Sequence, residues 1–324
     1  MGDQTLRPHY YGIYTNNAQI NGSRRKPKDL FNDLDPESQE KYHILAQQEN
    51  INNTVSMYNL RGEQIILDKP KRFIIMVLQE IYNEQVVNNY NFNDPDFMMP
   101  RDKAFGKVFV SAYTLACRIY NTKNPGSKVN FIARHLRELA GYPGADGADT
   151  GKWRGMLVYR VPNPKTGELD TIMMYDNLIS LGLKLNKHAT TSFIKLHEAF
   201  FANLPNAYIH CFPTSSKLAE FYDNKIPPQY TITLDQLLKQ AGSLGNKKLR
   251  MRASLIYDTL AHERFGCRNY NACKKITIEA IEACKYTGIL VGHKEYFGAT
   301  GELVYELEIN QKFFPRKENK TEKV

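Results

Sequence analysis

Twice in this chain a block of helix-period sequence runs into strand-like segments turned by Thr-Gly-Glu-Leu, at residues 166–169 and again, 134 residues later, at 300–303. A repeated order of elements limits the fold more than any single motif, because each copy must bury its own apolar faces. The tetrapeptide itself is generic, since any tight hairpin needs the positive φ that Gly supplies. The shared order is what predicts one architecture used twice. At 324 residues and 42% hydrophobic content, the chain can form two cores of ordinary size.

In the first block Phe73, Ile74, Val77, Leu78 and Ile81 form one stripe of a 3.6-residue period. They predict a helix over "KPKRFIIMVLQEIYNE", with Pro70 in the first turn, where its missing N–H costs nothing. "NNYNFNDPDFMMPRDK" interrupts the pattern, and a second helix is expected over about 104–120. "NTKNPGSK" is a loop, and the third helix, "VNFIARHLRELAG", closes at Gly141. After the polar loop "YPGADGADTGKW" come two strand-like runs, "GMLVYRV" and "LDTIMMY". Residues 1–68 are polar and rich in Asn and Gln. They read as an extension with a basic knot, "SRRKPK", and partial helix around "PESQEKYHILAQQ".

In the second block "TTSFIKLHEAFFANL" is expected as a connecting helix, followed by "YIHCF" and a short helix at "TSSKLAEFY". "TITLDQLLKQAG" is a helix that Thr233 can cap and Gly242 stop. Leu249, Ala253, Ile256 and Leu260 lie at i, i+4, i+7 and i+11, so "KKLRMRASLIYDTLAHERFG" reads as one helix. The short "SLGN" turn between them makes a helix-turn-helix. "ITIEAIEACKYTG" is assigned to packing, because Glu279 and Glu282 on its outward face would repel phosphates. Leu303, Tyr305, Leu307 and Ile309 then alternate as a strand. The expected fold is mainly α with small β-hairpins, an α+β class, as two tandem winged-helix domains. Their expected bounds are 69–188 and 189–315, with a basic tail at 316–324.

Lys and Arg number 43 against 34 Asp and Glu, a net charge of +9. That balance favours a polyanionic partner, either nucleic acid or an anionic membrane surface. No run approaches the ~18 apolar residues of a membrane span and the N-terminus carries no signal-peptide core, so no membrane anchoring and a cytoplasmic location are expected. The five cysteines are expected as reduced thiols. Cys267, Cys273 and Cys284 fall near His262 but lack paired Cys-x-x-Cys spacing, so neither a metal nor another cofactor is assigned.

The basic residues concentrate over 247–275. Lys247, Lys248, Arg250 and Arg252 are expected at the start of the second helix of the helix-turn-helix, the end that meets base edges. Arg264, Arg268, Lys274 and Lys275 follow in a loop suited to phosphate contacts. Only Asp258 and Glu263 oppose these eight. A solvated basic loop is the plainer alternative. In the first block Lys128, Arg134, His135 and Arg137 lie on the third helix, and Arg154, Arg160 and Lys165 are placed on a hairpin that could serve as a wing. Together these residues predict double-stranded DNA as the partner.

Catalytic readings fit less well. "GADGADTGKW" has Asp146 where a phosphate loop needs Gly and Trp153 where it needs Ser or Thr. "AYIHCF" holds one His where rolling-circle nucleases have a metal-binding pair. "LVGHKEYFGATGELVYE" is similar to the last stretch of tyrosine recombinases and would cast Tyr305 as nucleophile, but Tyr305 alternates with core leucines and the upstream His-x-x-Arg is missing. Asp94 and Asp96 lack a third carboxylate and suit ordinary turn chemistry.

The order of elements over about residues 69–315 resembles the initiator proteins of bacterial plasmids, with "DQLLKQAGSLGNKKLRMRASLIYDTL" in the place of the C-terminal helix-turn-helix. The resemblance implies binding to origin repeats by the second unit, and phosphate contacts or homodimer formation through the first. It also implies recruitment of host replication proteins and no nucleotide hydrolysis. The long extension and the Gly-rich loop at 141–151 depart from that pattern. A winged-helix transcription regulator acting at a promoter and a protein-interaction module with incidental charge are the alternatives.

Overall fold

The computed structural model describes residues 9–11, 56–59, 67–85, 106–141, 155–162, 166, 169–185, 189–197, 209–243, 245–257, 260 and 270–314. These form a mixed α+β structure. In chain order they are β1 (His9–Tyr11), β2 (Ser56–Asn59), α1 (Lys69–Gln85), β3 (Lys107–Val108), α2 (Ala112–Ile119), α3 (Lys128–Leu139), β4 (Gly155–Pro162), β5 (Leu169–Tyr175), β6 (Ile179–Leu185) and β7 (Ala189–Leu196). Then follow β8 (Ile209–Cys211), α4 (Ser215–Phe221), α5 (Gln229–Ser243), β9 (Lys248–Arg252), a helical stretch at 253–257, α6 (Tyr270–Thr287), β10 (Leu290–Phe297) and β11 (Leu303–Ile309). All strand pairs are antiparallel.

One order of elements does occur twice: helix, strand, helix, helix, strand, strand. In the first unit it is α1, β3, α2, α3, β6, β7, and in the second α5, β9, the 253–257 stretch, α6, β10, β11. Each unit closes on a three-stranded sheet whose last strand lies in the middle, ordered β3-β7-β6 and β10-β11-β9. The two Thr-Gly-Glu-Leu turns are not the matching parts. The first lies between β4 and β5, a hairpin inserted before β6 that pairs with β2 in a sheet of its own. The counterpart of β10 and β11 is β6 and β7.

Three segments expected as helix contain strand. Lys107–Val108 pairs with β7 before α2 begins at Ala112, where the Ser111 hydroxyl accepts from the Thr114 N–H at 3.0 Å. Residues 189–196, expected as a connecting helix, pair with both β3 and β6. Thr190, Thr191 and Ile194 are β-branched, and buried Ile194 and Leu196 flank exposed Lys195, a period of two. The expected boundary at 188/189 therefore falls inside a hairpin. The third segment is β9, where Leu249 and Met251 pack on the second core while Lys248, Arg250 and Arg252 point away. The N-terminal 68 residues also contribute structure, since β1 pairs with β8 and β2 with β4. The helix expected around 36–48 lies outside the described residues.

Helix α1 is buried on every side from Lys71 to Asn83, as an apolar stretch broader than one stripe requires. It touches α3, α4, α5, β1 and β3. The first core gathers around it and takes Leu218 and Ala219 from α4, Ile232 from α5 and Ala283 from α6. The second core joins α5 and α6 to β9, β10 and β11. Thr233 does not cap α5, which begins at Gln229, and Gly242 does not stop it, since the helix runs to Ser243. Instead the ring of Phe314 packs where a Cβ at Gly242 would stand.

Candidate nucleic-acid interface

The sheet of the second unit has a charged outer face. Arg250 lies opposite Glu306 in register and Lys248 opposite Glu308. Glu306 accepts from Lys248 Nζ at 2.6 Å and from Arg250 Nε at 2.6 Å. Hydrogen bonds from Lys248 and then Arg250 hold its carboxyl below the ordinary range, and the bond to Glu306 raises the Arg250 guanidinium in turn. Arg250 keeps 63% of its side chain exposed despite that bond. Lys247 and Arg252 are exposed at opposite ends of the strand. These four cations therefore occupy a sheet edge instead of a helix start, and two of them share one carboxylate.

The end of this unit away from Lys247 brings β9, α6 and the β10–β11 turn together. The Ser254 hydroxyl, and then its backbone N–H, which donates to Glu302 at 2.9 Å, depress the Glu302 carboxyl. Tyr257 and Tyr305 share a hydrogen bond of 2.8 Å, and the Tyr257 ring meets that of Tyr270 edge-on at 5.2 Å. This contact fixes the start of α6. Tyr305 is fully buried, a core residue with no access for a substrate. One turn into α6, Lys274 reaches Glu295 of β10 at 3.0 Å, while Asn271 and Lys275 face solvent.

Helix α6 packs on the second core, as expected for 276–288, through buried Cys273, Ile276, Ala280, Ile281 and Cys284. Its Glu279 accepts from Tyr230 of α5 at 2.7 Å, and Glu282 pairs with Lys285 at 2.8 Å. Both carboxylates are engaged within the unit, and the N-terminal third of the helix is basic and aromatic. Arg264 and Arg268, which precede it, lie outside the described residues, as do His262, Cys267, Asp94, Asp96, Lys165, the 142–154 loop and the 23–28 knot. Cys273 and Cys284 are buried.

The equivalent helix of the first unit is α3. Lys128 rests over Tyr120 at 4.4 Å, Arg134 over Phe131 at 5.5 Å, and Arg137 is exposed. His135 belongs to a different surface. It is buried, and its Nδ1 lies 3.2 Å from the Lys71 ammonium, which also binds Asp68 at 2.7 Å and Glu138 at 2.5 Å. Asp68, His135 and Glu138 bring ligand atoms within 4.8 Å of one another. The lysine already fills the space between them, so this cluster holds α1 against α3. Burial, with the adjacent lysine, lowers the His135 pKa and keeps the ring neutral.

The sequence placed Lys274 and Lys275 in a loop and began this helix at Ile276, whereas α6 begins at Tyr270 and carries both lysines. The signal available was its start, "YNACKK", where Tyr, Asn and two Lys occupy the first turns. Among the described residues no helix is long and apolar enough to cross a membrane. No protein-family model, curated protein or solved structure matches this chain.

Proposed function

We propose that the chain binds double-stranded DNA through two tandem winged-helix units and acts as a plasmid replication initiator at repeated origin sites. The observation that carries the reading is the repeated order of helix, strand, helix, helix, strand, strand with the last strand central in each sheet. In that architecture the third helix enters the major groove and the closing hairpin flanks it. The readers are then α6, with Asn271, Lys274 and Lys275, and α3, with Lys128, Arg134 and Arg137. Arg252 and Lys294 add phosphate contacts, as do Arg264 and Arg268. Lys247, Lys248 and Arg250 act at longer range, as part of the field that draws in a polyanion.

The reading also assigns Asn271 and Lys275 to base edges, where a good polar pair discriminates by about 1–3 kcal/mol. Lys274 contributes mainly salt-dependent affinity. Fluorescence anisotropy on duplexes tiled across the DNA that flanks the gene tests this. Lys275→Ala should flatten the preference among duplexes, and Lys274→Ala should weaken all of them and reduce the salt slope by roughly one unit. A wild-type chain that binds no duplex at low ionic strength overturns the DNA reading. The initiator role is tested by placing the gene and its flanks on a selectable marker without a replicon, where autonomous replication is expected.

A further inference from the structure

Among the exposed large apolar side chains of the described residues, Phe297 is the most exposed, at 77%. It ends β10, two residues after Glu295, so both side chains project from the same face of the sheet. Glu295 meets Lys274 of α6 on that face at 3.0 Å. Phe297 stands about 7 Å farther along the strand, by strand rise. That places its ring past the first turns of α6, whose Tyr270 is itself 53% exposed.

The ring is carried on a firm support. Phe297 pairs with Leu303 in register. The turn beyond it is closed by the Gly298 N–H to the Glu302 carbonyl at 2.9 Å and the Gly301 N–H to the Gly298 carbonyl at 2.9 Å. Gly301, at φ +72°, makes the reversal that a bulkier residue would strain. Lys275, next to Lys274 on α6, is exposed, and Lys294 on β10 and Arg252 on β9 are exposed on the opposite face of the sheet towards the same end. The two nearby carboxylates are occupied, Glu295 by Lys274 and Glu302 by Ser254. An exposed aromatic ring next to a hydrogen-bonded turn, with positive charge on both sides of the sheet that carries it, matches a ligand that is anionic outside and apolar within. Stacked base pairs between phosphate backbones have that composition.

We propose that Phe297 is a wedge that enters between two base pairs of duplex DNA from the minor groove when the second unit binds, unstacking the step and kinking the helix. This rests on the DNA-binding reading above and assigns the wing a role that electrostatic contact alone does not supply.

The test uses the full chain and a closed circular plasmid carrying the DNA that flanks its gene. The plasmid is relaxed by a type I topoisomerase with protein bound, then deproteinised, and its linking number is read on a gel. Wild type is expected to leave the plasmid underwound. Phe297→Ala, brought to equal occupancy, is expected to leave it relaxed and to bind about tenfold more weakly, while Phe297→Trp retains the effect. Because the side chain is largely outside the core, neither variant should change the melting temperature. If wild type binds the plasmid without changing its linking number, or Phe297→Ala matches wild type, the wedge is overturned and the ring is left for a protein contact. If wild type binds no duplex at all, the DNA reading fails and the wedge with it.

Discussion

Glu306 sits where two cations of one strand can reach it, and its depressed carboxyl is the consequence. A lowered folded-state value means the pairing stabilises the protein above the ordinary value of 4.5 and is lost as pH falls below it, through the folded value. The difference in melting temperature between wild type and Glu306→Gln should therefore be largest near neutral pH and close on acidification below that value. A difference that is flat with pH would mean that Lys248 and Arg250 gain nothing from the carboxylate charge. The thiols make a separate case. Burial pushes the Cys211, Cys273 and Cys284 thiols up, whereas Cys117 is half-buried on α2. Since the thiolate is the nucleophile, iodoacetamide at mild alkaline pH should label Cys117 in the folded protein. Peptide mapping should find Cys211, Cys273 and Cys284 labelled only after unfolding.

Within the elements, α5 contains a buried ion pair one turn apart. Asp235 and Lys239, both fully buried, approach to 2.9 Å, and Lys239 also donates to Thr214 at 2.7 Å. Removing one partner strands the other in a low dielectric, so Asp235→Ala should lower the unfolding free energy by about 3–5 kcal/mol. The double replacement Asp235→Leu with Lys239→Met should recover much of that loss, and urea denaturation of all three chains would measure both. The same scale shows what the sequence could and could not reveal. Helix α1 was legible because its apolar residues repeat at the helical period over several turns, and α3 because Gly141 closes it, whereas α5 was placed at 231–242 by end signals that fall inside the helix. Strand β9 was not, because "KLRMRASLI" satisfies two periods at once. Leu249, Ala253 and Ile256 fit a helix, while Leu249 and Met251 alternate with three cations as in a strand. The choice is made by β11, far along the chain, whose Tyr305 and Leu307 pair with Met251 and Leu249. The candidate site followed the same pattern, with its basic residues visible in the chain but the surface they share set by non-local pairing.

Across the whole molecule, the two units meet through α1. Arg72 donates to Thr233 of α5 at 2.7 Å, and Glu80 accepts from the backbone N–H of Ser215 at 3.2 Å and from its hydroxyl. Apolar side chains from α4, α5 and α6 complete the core around the same helix. An interface made of shared core couples the units more firmly than polar contacts alone, because separating them would expose α1 on several sides at once. Calorimetry should then give one transition with equal calorimetric and van't Hoff enthalpies. Glu80→Ala removes the side chain that caps α4, a loss of about 1–2 kcal/mol at a helix start and more where the donors stay buried. The midpoint should fall while the transition stays single, because Phe73, Val77 and their neighbours still join the units. Two resolved transitions in that variant would place the coupling in the Glu80 contact instead. They would also free α3 and α6 to move independently, and the footprint of fixed spacing that the proposed DNA binding implies would no longer be expected.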